Sequence, residues 1–166
     1  MLLELPTADE IDDLAARTPS LAVRRYEFDL LDTDLNLDYT PCKGEVVIVA
    51  RKGEGVMLVK AKGATIWTLP CARIQMTESP EEAAIRVARE RCGLTIDDAQ
   101  LKAFYDVTRH YRNVSVKRLF VIYSCAIRGD PDDATKDTDD ECSLHSGDLD
   151  EILIEEIDSQ ALSDCL

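Results

Sequence analysis

Hydrophobic residues in the middle of the chain fall in short runs of strand length. EVVIVAR at residues 45–51 and VMLVK at residues 56–60 are two such runs, joined by a glycine-containing turn. Apolar runs of this length that end at turn residues are typical of buried strands. Two further strands are predicted at 101–108 and 116–128, which are rich in β-branched and aromatic residues. A short strand is also predicted just before Pro70.

One segment between these strands carries the signals of a helix. Ser79 is a favourable N-cap, Pro80 occupies the first helical position, and Glu82 has the spacing of a capping box. Gly93 stands where a left-handed residue ends a helix. We therefore predict a helix over residues 80–92.

The first 41 residues form an acidic arm that precedes the strand-rich part of the chain. Thr7 and Glu10 have the spacing of a capping box and predict a short helix. LAVRRYEFDLL at residues 21–31 is a possible strand. We therefore divide the chain into an arm, residues 1–41, and a domain, residues 42–166.

The end of the chain begins with an acidic segment, residues 129–151. Long loops of this kind are either functional lids or partly disordered. Residues 149–162 are predicted to hold a short strand and then a helix. The order of strands, helix, strands and helix indicates the α+β class.

The composition excludes several functions. The 166 residues carry a net charge of −14, which argues against general binding to a nucleic-acid backbone. So many acids favour a protein adapted to high salt over an ordinary acidic protein, and stability measured toward molar salt separates the two. The six cysteines form no CxxC pair, which favours reduced thiols. With no long apolar run and no basic signal segment, we expect a cytoplasmic protein without a membrane span.

The stretch WTLPCARIQMTESPEEAAIRVARERCGL, residues 67–94, resembles the signature of the Nudix superfamily. That signature reads Gly, five residues, Glu, seven residues, then Arg-Glu-apolar-x-Glu-Glu-x-Gly-apolar. If its last glycine is Gly93, then its first Glu is Glu78, its Arg is Arg86, and the first acid of its final pair is Glu90. The resemblance implies an α/β/α sandwich, with a mixed sheet between helices.

The resemblance also implies an activity, the hydrolysis of nucleoside diphosphates linked to another moiety. In the family, three carboxylates of the helix hold Mg²⁺ or Mn²⁺, which activates the attacking water. By resemblance, Glu78 and Arg86 orient this segment, and Glu90 binds the metal or positions water. Two of the three acids are replaced here, by Val87 and Arg91. The formal charge of the three positions changes from −3 to 0, so the metal site is predicted to be impaired or altered.

The replacements leave alternatives open. Arg91 either contacts a phosphate of the ligand or pairs with Glu78 or Glu90 to hold the helix in place. Val87 extends the apolar stripe of the helix into the core. Ala72 stands where the family has a glycine next to the ligand, and a positive φ there would cost about 1 kcal/mol or more.

Acids outside the helix offer one way to rebuild a metal site. The family often recruits a further acid or histidine from a loop, and Asp139, Asp140, Glu141 and His145 are candidates by position. The alternative is that they form a solvated acidic surface. Two functions therefore remain open: a hydrolase, or a non-catalytic domain acting as a nucleotide sensor, regulator or partner-binding module. The expected ligand is a nucleotide or another diphosphate, and the arm is a possible homodimer contact.

Overall fold

The computed structural model describes residues 4–30, 42, 44–153 and 155–166. They form three α-helices and seven strands. The helices are α1 (Ala8–Arg17), α2 (Pro80–Cys92) and α3 (Glu156–Cys165). The strands are β1 (Ala22–Asp29), β2 (Glu45–Lys52), β3 (Gly55–Lys60), β4 (Cys71–Arg73), β5 (Thr95–Tyr111), β6 (Val114–Arg128) and β7 (Glu141–His145).

The strands form one mixed sheet. Its order is β1-β5-β6-β2-β3-β7, and the short β4 pairs with β2. The pairs β1–β5 and β2–β6 are parallel, whereas β5–β6, β2–β3, β2–β4 and β3–β7 are antiparallel. The predicted mixed sheet is confirmed.

Helices cover both faces of this sheet. Along β2, every side chain from Val46 to Ala50 is buried, which explains why this strand is a continuous apolar run rather than an alternating one. Val46 and Ile48 pack toward α1 and α2, whereas Val47 and Val49 pack toward α3. This is the α/β/α sandwich that the resemblance implies.

Three sequence predictions are wrong in detail. The strand expected before Pro70 is reduced to a single bridge between Thr68 and Val59, and β4 follows the proline instead. The acidic segment contains β7, which forms because β3 offers a free edge with which it can pair. The short strand expected near residue 149 is a 3₁₀ turn, Leu149–Glu151.

The arm contributes a helix and a strand to the sandwich. The capping box of α1 is complete, since Glu10 N donates to Thr7 Oγ1 and Thr7 N donates to the Glu10 carboxylate. The possible strand is confirmed as β1, which pairs along its whole length with β5. The segment 31–41 lies outside the described residues. In the described part of the chain, no helix is long and apolar enough to cross a membrane.

Candidate functional site

The helix α2, which we call the box helix, has the ends that the sequence predicts. Ser79 Oγ accepts a hydrogen bond from Glu82 N at 3.1 Å, and Pro80 begins the helix. Gly93 ends it with φ 63° and ψ 29°, a left-handed conformation. A side chain at this position would also collide with the Asp132 carbonyl, because an added Cβ would lie 2.2 Å from that oxygen. Both the left-handed backbone and the close approach of the Asp132 carbonyl therefore require glycine at this position.

Arg86 stands at the centre of a first arginine cluster, which also contains Glu78, Glu90 and the carbonyl of Arg73. Its Nε and Nη2 donate to the two oxygens of Glu78 at 3.0 and 2.6 Å. Nη2 also donates to Arg73 O at 2.8 Å, and Nη1 donates to Glu90 Oε2 at 3.3 Å. The three residues that match the family signature therefore lie together, held by one guanidinium.

Glu78 is locked in its charged form. Burial by itself would raise the pKa of its carboxyl, but hydrogen bonds from Arg86 and from the backbone N–H of Gln75 outweigh burial, so the pKa lies below its ordinary value. The Gln75 N–H donates at 2.8 Å. These contacts hold the loop that leads into the box helix against Arg86. The orienting role expected for Glu78 and Arg86 stays a prediction.

A second arginine cluster contains Arg91, Asp140 and the carbonyl of Cys71. Arg91 Nε donates to Asp140 Oδ2 at 2.7 Å, and Nη1 donates to Cys71 O at 3.2 Å. The side chains of Arg91 and Asp140 are only 20% and 10% exposed. The expectation that Arg91 pairs with Glu78 or Glu90 is wrong, because Arg86 already binds both of those carboxylates.

Asp140 is also held in its charged form. Burial would raise the pKa of this carboxyl, but hydrogen bonds from Arg91 and Thr138 lower it below its ordinary value. The hydroxyl of Thr138 donates to Asp140 Oδ2 at 2.8 Å, and Lys136 Nζ donates to the Asp140 carbonyl at 2.7 Å. Arg91 and Asp140 therefore form a partly buried ion pair whose carboxylate is held in place by further hydrogen bonds.

The acidic segment is fastened to the end of the box helix by its backbone as well. Asp137 N donates to Glu90 O at 2.8 Å, and Asp132 N donates to Gly93 O at 2.7 Å. The thiol of Cys142 donates to Arg91 O at 2.9 Å. Carbonyls at a helix C-terminus need partners from outside the helix, and this segment supplies them.

The other acids proposed for a rebuilt metal site are dispersed. Asp139 faces Lys62 at 3.6 Å, and Glu141 faces Lys60 at 3.2 Å. His145 lies on the opposite face of the sheet from the box helix, with its ring 4.7 Å from that of Trp67. In the described ranges, no three side chains of His, Cys, Asp or Glu are grouped so that they could hold a metal ion.

The residues of the box helix do not fit the divalent ion that the family implies. Val87 is 0% exposed and belongs to the core, as predicted. Its hydrocarbon side chain has no atom that could bind a metal ion. Arg91 brings a positive charge to the position of a metal-binding acid. Glu90 alone retains a carboxylate, and that carboxylate accepts a hydrogen bond from Arg86. Mg²⁺ prefers hard oxygen ligands, and only one of the three expected side chains offers them.

Cys71 and Ala72, which replace the family's glycines, cause no backbone strain. Both lie in β4, opposite Val47 and Val46 of β2, and neither has a positive φ. The strain considered for Ala72 is therefore absent, because this segment is an ordinary strand. Burial raises the pKa of the Cys71 thiol to about 12, so it is not a reactive thiol near neutral pH.

Sequence reasoning missed one buried acid, Asp158 of α3. Burial raises the pKa of its carboxyl to about 7, although a hydrogen bond from the backbone N–H of Leu69 acts in the opposite direction. Its position in the sequence was a signal, because Ala161 and Leu162, three and four residues later, lie on the same apolar helix face. A buried carboxyl with a raised pKa is a candidate for function or for a pH-dependent contact.

Comparisons with known proteins bear on the family. A model of the NUDIX domain matches residues 42–162. Over 51 residues, the chain is 41% identical to a putative 8-oxo-dGTP diphosphatase of Bacillus subtilis, a match that spans 31% of this chain and 34% of that protein. The chain therefore matches about a third of the length of this relative.

Solved structures share the fold. A NUDIX hydrolase from Nitrosomonas europaea superposes with a TM-score of 0.60 at 17% identity, over 75% of this chain and 88% of that one. A UDP-X diphosphatase superposes with a TM-score of 0.56 at 16% identity, over 80% of this chain and 66% of that one. The domain match covers most of the chain and includes the box helix with both arginine clusters, and on this ground the chain belongs to the Nudix family.

Proposed function

We propose that this chain binds a diphosphate-containing nucleotide and does not hydrolyse it by the metal-dependent route of the family. Its role is then that of a nucleotide sensor or regulator. The observation that carries the proposal is the second arginine cluster, in which Arg91 binds the oxygen atoms of Asp140 and Cys71.

Those oxygens are of the kind that a divalent cation uses. A carboxylate and a backbone carbonyl are hard donors, and here a guanidinium already binds both of them. An ion approaching them meets a fixed positive charge at short range in a partly buried setting, where screening by water is weak. Arg91 therefore takes the place of an ion at this end of the helix.

The neighbouring position removes a second ligand. Val87 is packed in the core with Ala83 and Ala84, and its side chain has no oxygen to offer a metal ion. Mg²⁺ in nucleotide enzymes is usually held by one or two carboxylates together with substrate phosphates. The loss of two donors and the gain of a cation on one helix weaken this arrangement severely.

The nature of the ligand rests on family membership. Two of the proteins compared above are named a putative 8-oxo-dGTP diphosphatase and a UDP-X diphosphatase, and both names refer to nucleotides with linked phosphates. We therefore propose a nucleoside diphosphate, free or linked to another moiety, as the ligand of this chain.

A second candidate function is a slow hydrolase in which Glu90 binds the metal. One observation favours it: the Glu90 side chain is 29% exposed, so it is within reach of solvent, although it also accepts a hydrogen bond from Arg86. Glu90 with substrate phosphates meets the minimum that Mg²⁺ requires.

The deciding experiment measures nucleoside monophosphate released from 8-oxo-dGTP, a UDP-sugar and ADP-ribose with Mg²⁺ or Mn²⁺. We expect no release above background by the parent chain. Isothermal titration without metal, on the same compounds, is expected to show binding. Metal-dependent turnover by the parent that is lost in Glu90→Gln would overturn the proposal in favour of the second candidate.

A matched variant separates a displaced metal from an unsuitable substrate. Val87→Glu with Arg91→Glu restores the acids of the family signature, and we expect it to gain metal binding and turnover. Circular dichroism establishes whether this variant is folded. A folded variant that binds no Mn²⁺ would show that Val87 and Arg91 are not what prevents metal binding.

A further inference from the structure

The strand β1 lies at the edge of the sheet. Its eight residues, Ala22–Asp29, pair on one side with β5. After the strand, Leu30 N still donates to His110 O at 2.8 Å. In the described residues, no strand pairs with the outer side of β1. A long edge strand of this kind is a template for pairing with another strand.

The charges of β1 are arranged differently from those of the rest of the chain. Arg24 and Arg25 stand in its first half, and Glu27 and Asp29 stand in its second half. The strand is therefore neutral in a chain of net charge −14. When two copies of such a strand run antiparallel, the basic half of each lies opposite the acidic half of the other.

The two faces of the strand differ in how far their charges are already paired. Arg24 points toward α3 and forms a bidentate contact with Asp164, with Nε 2.8 Å from Oδ2. Arg25 and Glu27 are on the opposite face and are exposed. Arg25 contacts the exposed carboxylate of Asp12 at 3.5 Å, a contact that contributes little in water. Glu27 lies 3.9 Å from His110 Nε2, and Asp29 is exposed on the same face. This face thus presents one cation and two anions that can change partners.

We propose that β1 pairs antiparallel with β1 of a second copy of this chain, with Tyr26 on the twofold axis. In this register, Arg25 lies opposite the partner's Glu27, and by symmetry the same pair forms a second time. A shift of the register by two residues in one direction places Arg25 opposite the partner's Arg25. The opposite shift places Glu27 opposite the partner's Glu27, with Arg25 opposite the partner's Asp29. A shift by one residue opposes side chains of different faces. Of the three registers that oppose side chains of the same face, only the one with Tyr26 on the axis places no like charges directly opposite each other.

The other face supports the same register. Tyr26 lies opposite the partner's Tyr26, and aromatic residues paired across strands stabilise antiparallel sheets. Tyr26 is already ordered within each chain, since its ring packs edge-on against Tyr105 at 5.6 Å and lies parallel to Phe28 at 5.9 Å. The dimer joins two seven-stranded sheets into one continuous sheet.

Charge exchange tests the contact. Sedimentation of the full chain over a range of concentrations, at one fixed salt concentration, gives the dimer dissociation constant. Arg25→Glu places two pairs of acids opposite each other, and we expect a dissociation constant weaker by roughly tenfold or more. Arg25→Glu combined with Glu27→Arg restores two opposite-charge pairs and is expected to regain most of the lost affinity.

The matched control is Arg128→Glu, which changes the net charge equally at an exposed position that contacts Asp97. It is expected to leave the dissociation constant near that of the parent. A parent that stays monomeric would overturn the proposal. So would an exchange variant no tighter than Arg25→Glu, or a control as weak as Arg25→Glu.

Cysteine variants test the register separately. Tyr26→Cys brings two thiols together at the twofold axis, so diamide is expected to yield a covalent dimer well above the level of the parent. Arg25→Cys and Glu27→Cys are expected to yield less, because neither residue faces its own copy. Stronger cross-linking at position 25 or 27 than at position 26 would overturn the proposed register.

Discussion

The box helix is attached to β4 at two points. Arg86 donates to the carbonyl of Arg73 at 2.8 Å, and Arg91 donates to the carbonyl of Cys71 at 3.2 Å. Each guanidinium also binds a carboxylate, so the two arginine clusters share the same chemistry. The first cluster follows the family signature, whereas the second stands where the family has a metal-binding acid.

The two clusters differ in where their acids come from. Glu78 lies eight residues before Arg86 in the chain, whereas Asp140 lies 49 residues after Arg91. The first cluster closes a local loop, and the second ties a distant acidic segment to the helix. The comparison shows that the local contacts of the first cluster form although Val87 and Arg91 replace two acids of the signature.

Removal of the first cluster is expected to cause the greatest loss in the free energy of unfolding. Arg86→Ala leaves the buried Glu78 carboxylate without its cation, and such changes cost about 3–5 kcal/mol. Urea denaturation of the variant measures this loss. Arg128→Ala, at an exposed pair, is the control and should cost less than about 1 kcal/mol. A cost for Arg86→Ala as small as that of the control would refute the structural role of this cluster.

The second cluster is expected to contribute somewhat less to the free energy of unfolding than the first. Arg91→Ala should cost about 2–3 kcal/mol, because Asp140 keeps its hydrogen bond from Thr138 when the guanidinium is removed. A double-mutant cycle with Asp140→Asn isolates the pair, and we expect a coupling free energy of about 1–2 kcal/mol. Additive effects of the two changes would mean that Arg91 and Asp140 do not act as a pair.

Asp158 differs from the acids of both clusters because its carboxyl is buried and its pKa is raised rather than lowered. Its folded-state pKa of about 7 lies above its ordinary value of 3.8, so between these values the folded protein binds more protons than the unfolded one. The free energy of unfolding should therefore fall as the pH rises from about 4 to 7 and change little above that range. Asp158→Asn should flatten this slope and stabilise the protein by about 2 kcal/mol at pH 8.

Thermal unfolding of the parent and of Asp158→Asn across this pH range is the measurement. Glu78 and Asp140 act with the opposite sign, since their pKa values are lowered. Their stabilisation is present above about pH 5 and is lost as the pH falls through the folded-state values. Parallel pH profiles for the parent and Asp158→Asn would show that Asp158 does not titrate in this range.

The smallest expected effect is at Ala72, which lies between the two carbonyls of β4 that the arginines bind. Ala72→Gly restores a glycine of the family pattern, yet Ala72 sits in a regular strand opposite Val46. Glycine loses more conformational entropy on folding, so we expect a cost of about 0.5–1 kcal/mol by urea denaturation. A gain in stability would indicate strain at this position that the strand geometry does not show.

Most elements were predictable because their signals are local. The caps at Ser79 and Gly93 set the ends of the box helix to the residue. The apolar runs of β2 and β3 predicted buried strands. β7 was not predictable, because ECSLH has no strong strand pattern and pairs only where β3 presents its edge. The acidity of the surrounding segment also favoured a loop.

The candidate site also has features that short-range residue patterns predict and features that depend on the fold. The residues alone were enough to predict the box helix, the family signature, the positions of Glu78, Arg86 and Glu90, and the replacement of two acids by Val87 and Arg91. These properties depend on residue types at short, constant spacings, which is why they can be recognised without a fold.

The partner of Arg91 depends on the fold and could not be predicted from the sequence. Ten acids lie within the acidic segment, and nothing in their order distinguished Asp140 from its neighbours. The choice follows from the pairing of β7 with β3, which turns Cys142 toward the box helix and His145 toward the other face. Contacts between residues far apart in the chain depend on sheet register, and a shift of one residue reverses every side chain.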